Sequence, residues 1–455
     1  MKIPALRKVL CILSASFAMT ATSAAQGINP YPNAVTDRAI HLESPMSVPP
    51  TNVVVTDPDF GSSIVRATDE MTNFKLPGTA LVNEASGEAN EWSADGRKFY
   101  VMGHGGQVLA FAFDPSAMAV SSLPGADSGQ AFLVPLRPGP TFSFVDPDLI
   151  YGTGLDDLTI MSYRFSTGAL VPVLDTRTCG VQPPLGSGPS VKTDYDVSLS
   201  LDDSRVSISE GPVPGKDMFV VVNDKKLGCR WYNTQTGQIG GQWGPSGNAT
   251  ASASYLIRHA YLARSGKYIH ILSKGVAYFW DVATLNVTSC VIGSDEECGG
   301  YGVMGYNSYV NGPGMAGDMV IVKRPLSDLS AITPLVYPPL SPEAWGQPEH
   351  FTWSNVDSKD SMPVCGSTYS YDGDTKIDQP FAGEIWCVET DGLASTVWRF
   401  AHNRAIWIKP YFNTQPLGNV SRDGRFFLFS SDWDAQLGIG TDGRPRSDVF
   451  ILKLN

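Results

Sequence analysis

Seven times along its 455 residues the chain repeats one short signature, an aromatic or β-branched strand end that is usually followed by a polar turn. The stations are Phe113-Asp114-Pro115, Phe165-Ser166-Thr167-Gly168, Tyr232-Asn233-Thr234, Trp280-Asp281-Val282, Val322-Lys323-Arg324-Pro325, Val388-Glu389-Thr390 and Val449-Phe450-Ile451. They lie about 42 to 67 residues apart, which suits a four-stranded unit with room for loop insertions.

A second repeat supports the first. Ser93-Ala94-Asp95-Gly96-Arg97, Ser200-Leu201-Asp202-Asp203-Ser204-Arg205, Ala263-Arg264-Ser265-Gly266-Lys267 and Ser421-Arg422-Asp423-Gly424-Arg425 each precede a run rich in aromatic and β-branched residues. Gly, Asp and Asn tolerate the backbone angles of a tight turn, and the runs suit a pleated, half-buried surface. Asp146-Pro147-Asp148 before Leu149 is a degenerate copy, and no sustained helical period appears. The expected fold is all-β: a single β-propeller of seven four-stranded blades. The first strand falls at 51–55 or 63–67 and the last at 448–454. Terminal strands sharing one blade would close the ring without a long exposed sheet edge.

Residues 1–25 read as a cleaved secretory signal peptide. Lys2, Arg7 and Lys8 precede a short apolar run from Val9 to Met19, and Ser23-Ala24-Ala25 offers a cleavage site before Gln26. The run is too short to span a bilayer. Residues 26–50 form a Pro-rich extended lead, and 51–455 the propeller. Cleavage removes three positive charges and takes the formal charge from −12 to −15. So acidic a protein is a poor binder of nucleic acid or anionic membrane. An acidic polymer would need a local cluster of Arg, Lys, His or metal. The expected protein is exported, periplasmic or extracellular, not inserted in a membrane, and monomeric.

Six cysteines follow the signal: Cys179, Cys229, Cys290, Cys298, Cys365 and Cys387. An even number in an exported chain points to disulfides. Neighbour pairing, 179 with 229, 290 with 298 and 365 with 387, is the simplest of several connectivities. No Cys-x-x-Cys spacing suggests zinc.

Nucleophile elbows, His-Glu-x-x-His and phosphate-cradling loops are absent. Met102-Gly103-His104-Gly105-Gly106-Gln107 reads as a hairpin turn. His270 alternates within a strand and reads as packed; His41 falls in the lead and reads as exposed. His259 follows Arg258, and His402 precedes Arg404 by two residues, each at an expected strand end where rigid scaffolds gather their sites. The bland reading of each is a surface histidine beside a solvated arginine. In Gln347-Pro348-Glu349-His350, an amide and an imidazole three residues apart offer a metal pair. Otherwise His350 bonds backbone while Phe351 and Trp353 fill a blade. Asp372-Gly373-Asp374 through Asp378 lacks the glycine and glutamate of an EF-hand loop. Ser431-Asp432-Trp433-Asp434 reads as a turn cap.

The Ser-x-Asp-Gly-Arg turns resemble those of TolB-like and WD40-like bacterial propellers over most of the chain. Within that group, Gln347-x-x-His350 resembles part of the manganese-binding Gln-x-x-His-x-His segment of oligogalacturonate lyase propellers. Two departures stand out: Thr352 replaces the second His, and the other register, Gln415-Pro416-Leu417-Gly418, has Gly where His belongs. The resemblance implies a divalent metal, Mn or Ca, on Gln347 and His350, and β-elimination on a uronate polymer. Arg258 or Arg404 would pair with the uronate carboxylate, His259 or His402 would act as base, and Trp345 and Trp407 would stack on sugar rings. Two functions follow: an exported module binding a glycan or an envelope protein, or a secreted polysaccharide lyase.

Overall fold

The computed structural model describes residues 29–454, apart from 85–86, 127–130, 157, 182–196, 212–217, 252–253, 274–275, 292–301, 313–320, 337–348, 372–379 and 392–395. Among the described residues its strands form seven antiparallel sheets around an axis, a seven-bladed propeller, and one two-stranded parallel ribbon. The first strands of the blades are Leu81–Val82, Thr141–Phe142, Ser198–Leu199, His259–Leu262, Val303–Met304, Glu349–Thr352 and Gly418–Val420, here blades one to seven. Neighbouring first strands bond to one another across the axis. Leu262 N donates to Ser198 Oγ at 2.8 Å, and Asn419 Nδ2 to Thr352 Oγ1 at 3.2 Å.

Blade seven closes the ring as expected. Ser63–Arg66 pairs with Asp448–Lys453, the last strand, and Val54–Thr56 continues the sheet. Six of the seven sequence stations fall on or just after the third strand of a blade. Tyr232 falls one strand later, in Gly228–Asn233, and blade three carries two further short strands outside it.

Three of the four repeated turns, those led by Ser93, Ser200 and Ser421, share one hydrogen-bond scheme. Ser93 Oγ donates to Asp95 at 2.7 Å and accepts from Lys98 N at 2.9 Å; Ser421 repeats this with Asp423 and Phe426 N at 2.7 and 3.0 Å. The fourth residue needs a left-handed backbone, and Gly96 and Gly424 sit at φ 66° and 72°. In the Ser200 turn the position is Asp203, at φ 55°. Its carboxylate leaves the turn to bond Ser143 Oγ and Phe144 N of blade two. The strained residue therefore links two blades.

Seven buried apolar clusters fill the seven interfaces between blades. Strand alternation explains how one strand serves two neighbours. In blade four, Ile269 and Ile271 pack toward blade three. Tyr268 packs toward blade five, and the His270 ring meets Tyr309 there.

Cys179–Cys229 joins the end of blade two to blade three, and Cys365–Cys387 joins facing strands of blade six. Cys290 is disulfide-bonded, and Cys298 lies outside the described residues. Disulfides suit an oxidising compartment. Among the described residues no helix is long and apolar enough to cross a membrane.

Candidate functional site at the mouth of the channel

The axis is not an open pore. Val82 pairs with Met102 and Trp92 with Phe99, so ten residues span what three cover on the partner strand. The surplus bulges from blade one into the axis and reaches five other blades. Asn90 Nδ2 donates to Phe142 O of blade two at 3.1 Å. Arg264, after the first strand of blade four, donates to Glu88 O at 2.7 Å, and Met304 N of blade five to Glu88 Oε1 at 2.6 Å. Asn419 Nδ2 of blade seven donates to Ala89 O at 2.5 Å. A Cβ on Gly87 would lie 1.7 Å from the Phe351 carbonyl oxygen of blade six, so that approach requires glycine. Burial pushes Glu88 up to about 7 and Glu91 up to about 8, against their hydrogen bonds from Met304 N and Glu84 N.

The contacts of this plug with blades two, four, five and six fall at or just past the ends of the first strands. The starts of those strands open on the opposite mouth. His259 begins the first strand of blade four, and His350 is the second residue of that of blade six. Arg258, which is exposed, precedes His259. Gln415 enters blade seven beside His350, and its Oε1 lies 3.0 Å from His350 Nε2. Burial pushes the His350 imidazole down to about 4, despite that hydrogen bond.

An aromatic row leads outward from this pair. The His350 ring stacks on Tyr369 at 5.2 Å, Tyr369 meets Trp407 edge-on at 5.6 Å, and Trp407 meets Phe412 at 6.0 Å. Trp407 is half-buried, and Phe412 is 60% exposed. Lys409 Nζ lies 5.1 Å above the Trp407 ring. Local backbone geometry sets the row, since Ile406–Trp407 pairs in parallel with Ser370–Tyr371. The outer end of the row, Trp407 and Phe412, offers flat apolar faces and a cation side by side.

The other sequence candidates lie elsewhere or beyond view. His402 ends the fourth strand of blade six, at the rim under the N-terminal lead. Its Nδ1 is 3.1 Å from Asp59 Oδ2 and its Nε2 3.0 Å from the His41 carbonyl. Burial pushes this ring down to about 4. Arg404 is buried and bonds Glu43 at 3.0 Å and Ser44 O at 2.9 Å, with its guanidinium over Trp433. His41 is only partly exposed and meets Asp37 at 3.0 Å. Gln347, Trp345 and Asp372 to Asp378 lie outside the described residues. Among the described residues, no group of three His, Cys, Asp or Glu side chains placed to hold a metal includes His350. Among the described residues His350 and Gln415 thus stand as a pair of donors.

The partner of His350 was visible only as the second register of the same motif, 65 residues on. Asn419, which binds the plug, carries no sequence signal beyond its place before a Ser-x-Asp-Gly turn.

No protein-family model matches the chain and no curated protein matches it, so the TolB-like and WD40-like resemblance has no family match behind it. The chain is similar to the solved structure of an oligogalacturonate lyase from Vibrio parahaemolyticus at 10% identity and a TM-score of 0.45, covering 89% of this chain and 98% of that one. It is also similar to an oligogalacturonate lyase in complex with manganese, at 12% identity and a TM-score of 0.45 over 90% and 97% of the two chains. A chain of the mitotic checkpoint complex is similar at 12% identity and a TM-score of 0.40, over 92% and 98%.

Proposed function

We propose that this chain is an exported propeller that binds an acidic, uronate-containing glycan at the mouth where the first strands begin. The observation that carries the reading is the row His350, Tyr369, Trp407 and Phe412 with Lys409 over its outer part. Sugar rings stack on aromatic faces, and a lysine beside the stack meets a uronate carboxylate. The protein is acidic overall, so a polyanion needs such a local cation. The plug supports binding at a mouth rather than threading through the axis.

The test is titration of the mature protein with polygalacturonate, alginate and a neutral β-glucan. Acidic polymers should bind and the neutral one should not, and Trp407→Ala should weaken binding at least about tenfold, or 1.4 kcal/mol. Equal binding by the variant, or none by the wild type, would overturn the reading.

One observation favours a second reading, a lyase acting by β-elimination. Arg258 and His259 stand at the same mouth as His350, on strand starts of blades four and six. The same titrations followed by ultraviolet absorbance of unsaturated uronate products decide between the two.

A further inference from the structure

The N-terminal lead is locked to the rim of blade six by charge. Arg399, fully buried, grips the Glu384 carboxylate at 2.6 and 2.7 Å and reaches Asp37 and Ala39 of the lead. Arg404 reaches Glu43 and Ser44. One part of this seam is left chemically incomplete.

One carboxylate oxygen each of Asp57 and Asp59 and one ring nitrogen of His402 lie within 4.8 Å of one another. Asp57 is fully buried. Its Oδ1 accepts from Asp59 N and Phe60 N at 3.0 and 2.9 Å, but its buried Oδ2 has no hydrogen-bond partner. Such an orphan carboxylate oxygen is costly unless a cation meets it. On His402, Nε2 faces a carbonyl oxygen and must donate to it. In a neutral ring this leaves the Nδ1 lone pair aimed at the Asp59 carboxylate 3.1 Å away. Two acceptors then face each other. A ring N–H held by a backbone carbonyl is the usual support for a metal-ligating histidine, because it fixes the tautomer.

We propose that Asp57, Asp59 and His402 Nδ1 bind a divalent first-row ion that bolts the lead to blade six. Two carboxylates and one imidazole suit Mn²⁺ or Zn²⁺ better than Ca²⁺, which prefers six to eight oxygens. The ion would satisfy the Asp57 oxygen and separate the facing acceptors. The site lies at the rim and is independent of the glycan mouth.

The test is equilibrium dialysis of the full mature chain, stripped with EDTA, against Mn²⁺ and Zn²⁺ separately. It uses a His350→Ala background so that the mouth cannot answer for the rim. One equivalent should bind, raise the thermal midpoint and slow proteolysis of the lead. Asp57→Asn keeps the backbone bonds of Oδ1, and it should lower the affinity at least about tenfold. Equal binding by parent and Asp57→Asn would overturn the proposal. So would failure of the parent to retain either ion; both ring nitrogens of His402 protonated by NMR at neutral pH would then show a proton in place of the metal.

Discussion

The side-chain amide of Asn419 donates to the Ala89 carbonyl at 2.5 Å, across 330 residues of chain. The same amide nitrogen reaches Thr352 Oγ1, its oxygen faces Glu91 N and Ser354 Oγ, and the Asn419 carbonyl accepts from Trp92 Nε1. One fully buried asparagine thus ties blades six and seven to the plug of blade one. Asn419→Ala leaves the Ala89 carbonyl without this donor and should lower unfolding free energy by about 2–4 kcal/mol. Urea denaturation with an unchanged m-value is the measurement.

Arg399 and Glu384 form a fully buried bidentate pair. Removing one partner of such a pair leaves an uncompensated charge. Arg399→Met should destabilise by about 3–5 kcal/mol. The double variant Arg399→Met/Glu384→Gln should recover part of that loss. A double variant no more stable than the single would contradict this account of the seam.

His270 lies between Phe279 and Tyr309, its Nε2 is buried without a hydrogen bond, and burial pushes it down to about 3. Its folded value lies below the unfolded value of about 6.5. Between those two values the unfolded chain binds the extra proton, so His270 favours the folded state above pH 6.5 and loses that contribution as pH falls. His270→Phe should flatten the loss of stability between pH 6.5 and 4.5 by about 2 kcal/mol. Parallel pH profiles for the two proteins would show that the ring does not titrate this way.

Cys179–Cys229 closes a separation of 50 residues between two blades. Constraining the unfolded chain over that length contributes about 2–4 kcal/mol. The double serine variant should lose that amount in urea titration. Reduction of the wild type should lower its thermal midpoint, while reduction of the variant should lower its midpoint less.

Local chemistry was legible in the chain. Ser-x-Asp-Gly-Arg writes its own turn, since the serine and aspartate side chains bond backbone groups within five residues. Strand alternation and the spacing of the stations therefore yield the blade count and the shared closing blade. Tyr232 is the exception, on the fourth strand of its blade where the other stations mark the third.

What the tertiary structure alone decided is which distant groups meet. His350 takes Gln415 from the next blade, 65 residues on, and His402 takes Asp59, 343 residues back. The histidines expected to share a site are split between mouth and rim. The axis is filled by a bulge of blade one that none of the sequence motifs marks. These pairings follow from ring closure, which brings first strands together at the axis and lays the lead along the rim. Sequence motifs record bonds within a turn or strand; contacts made by packing whole blades have no local pattern to carry them.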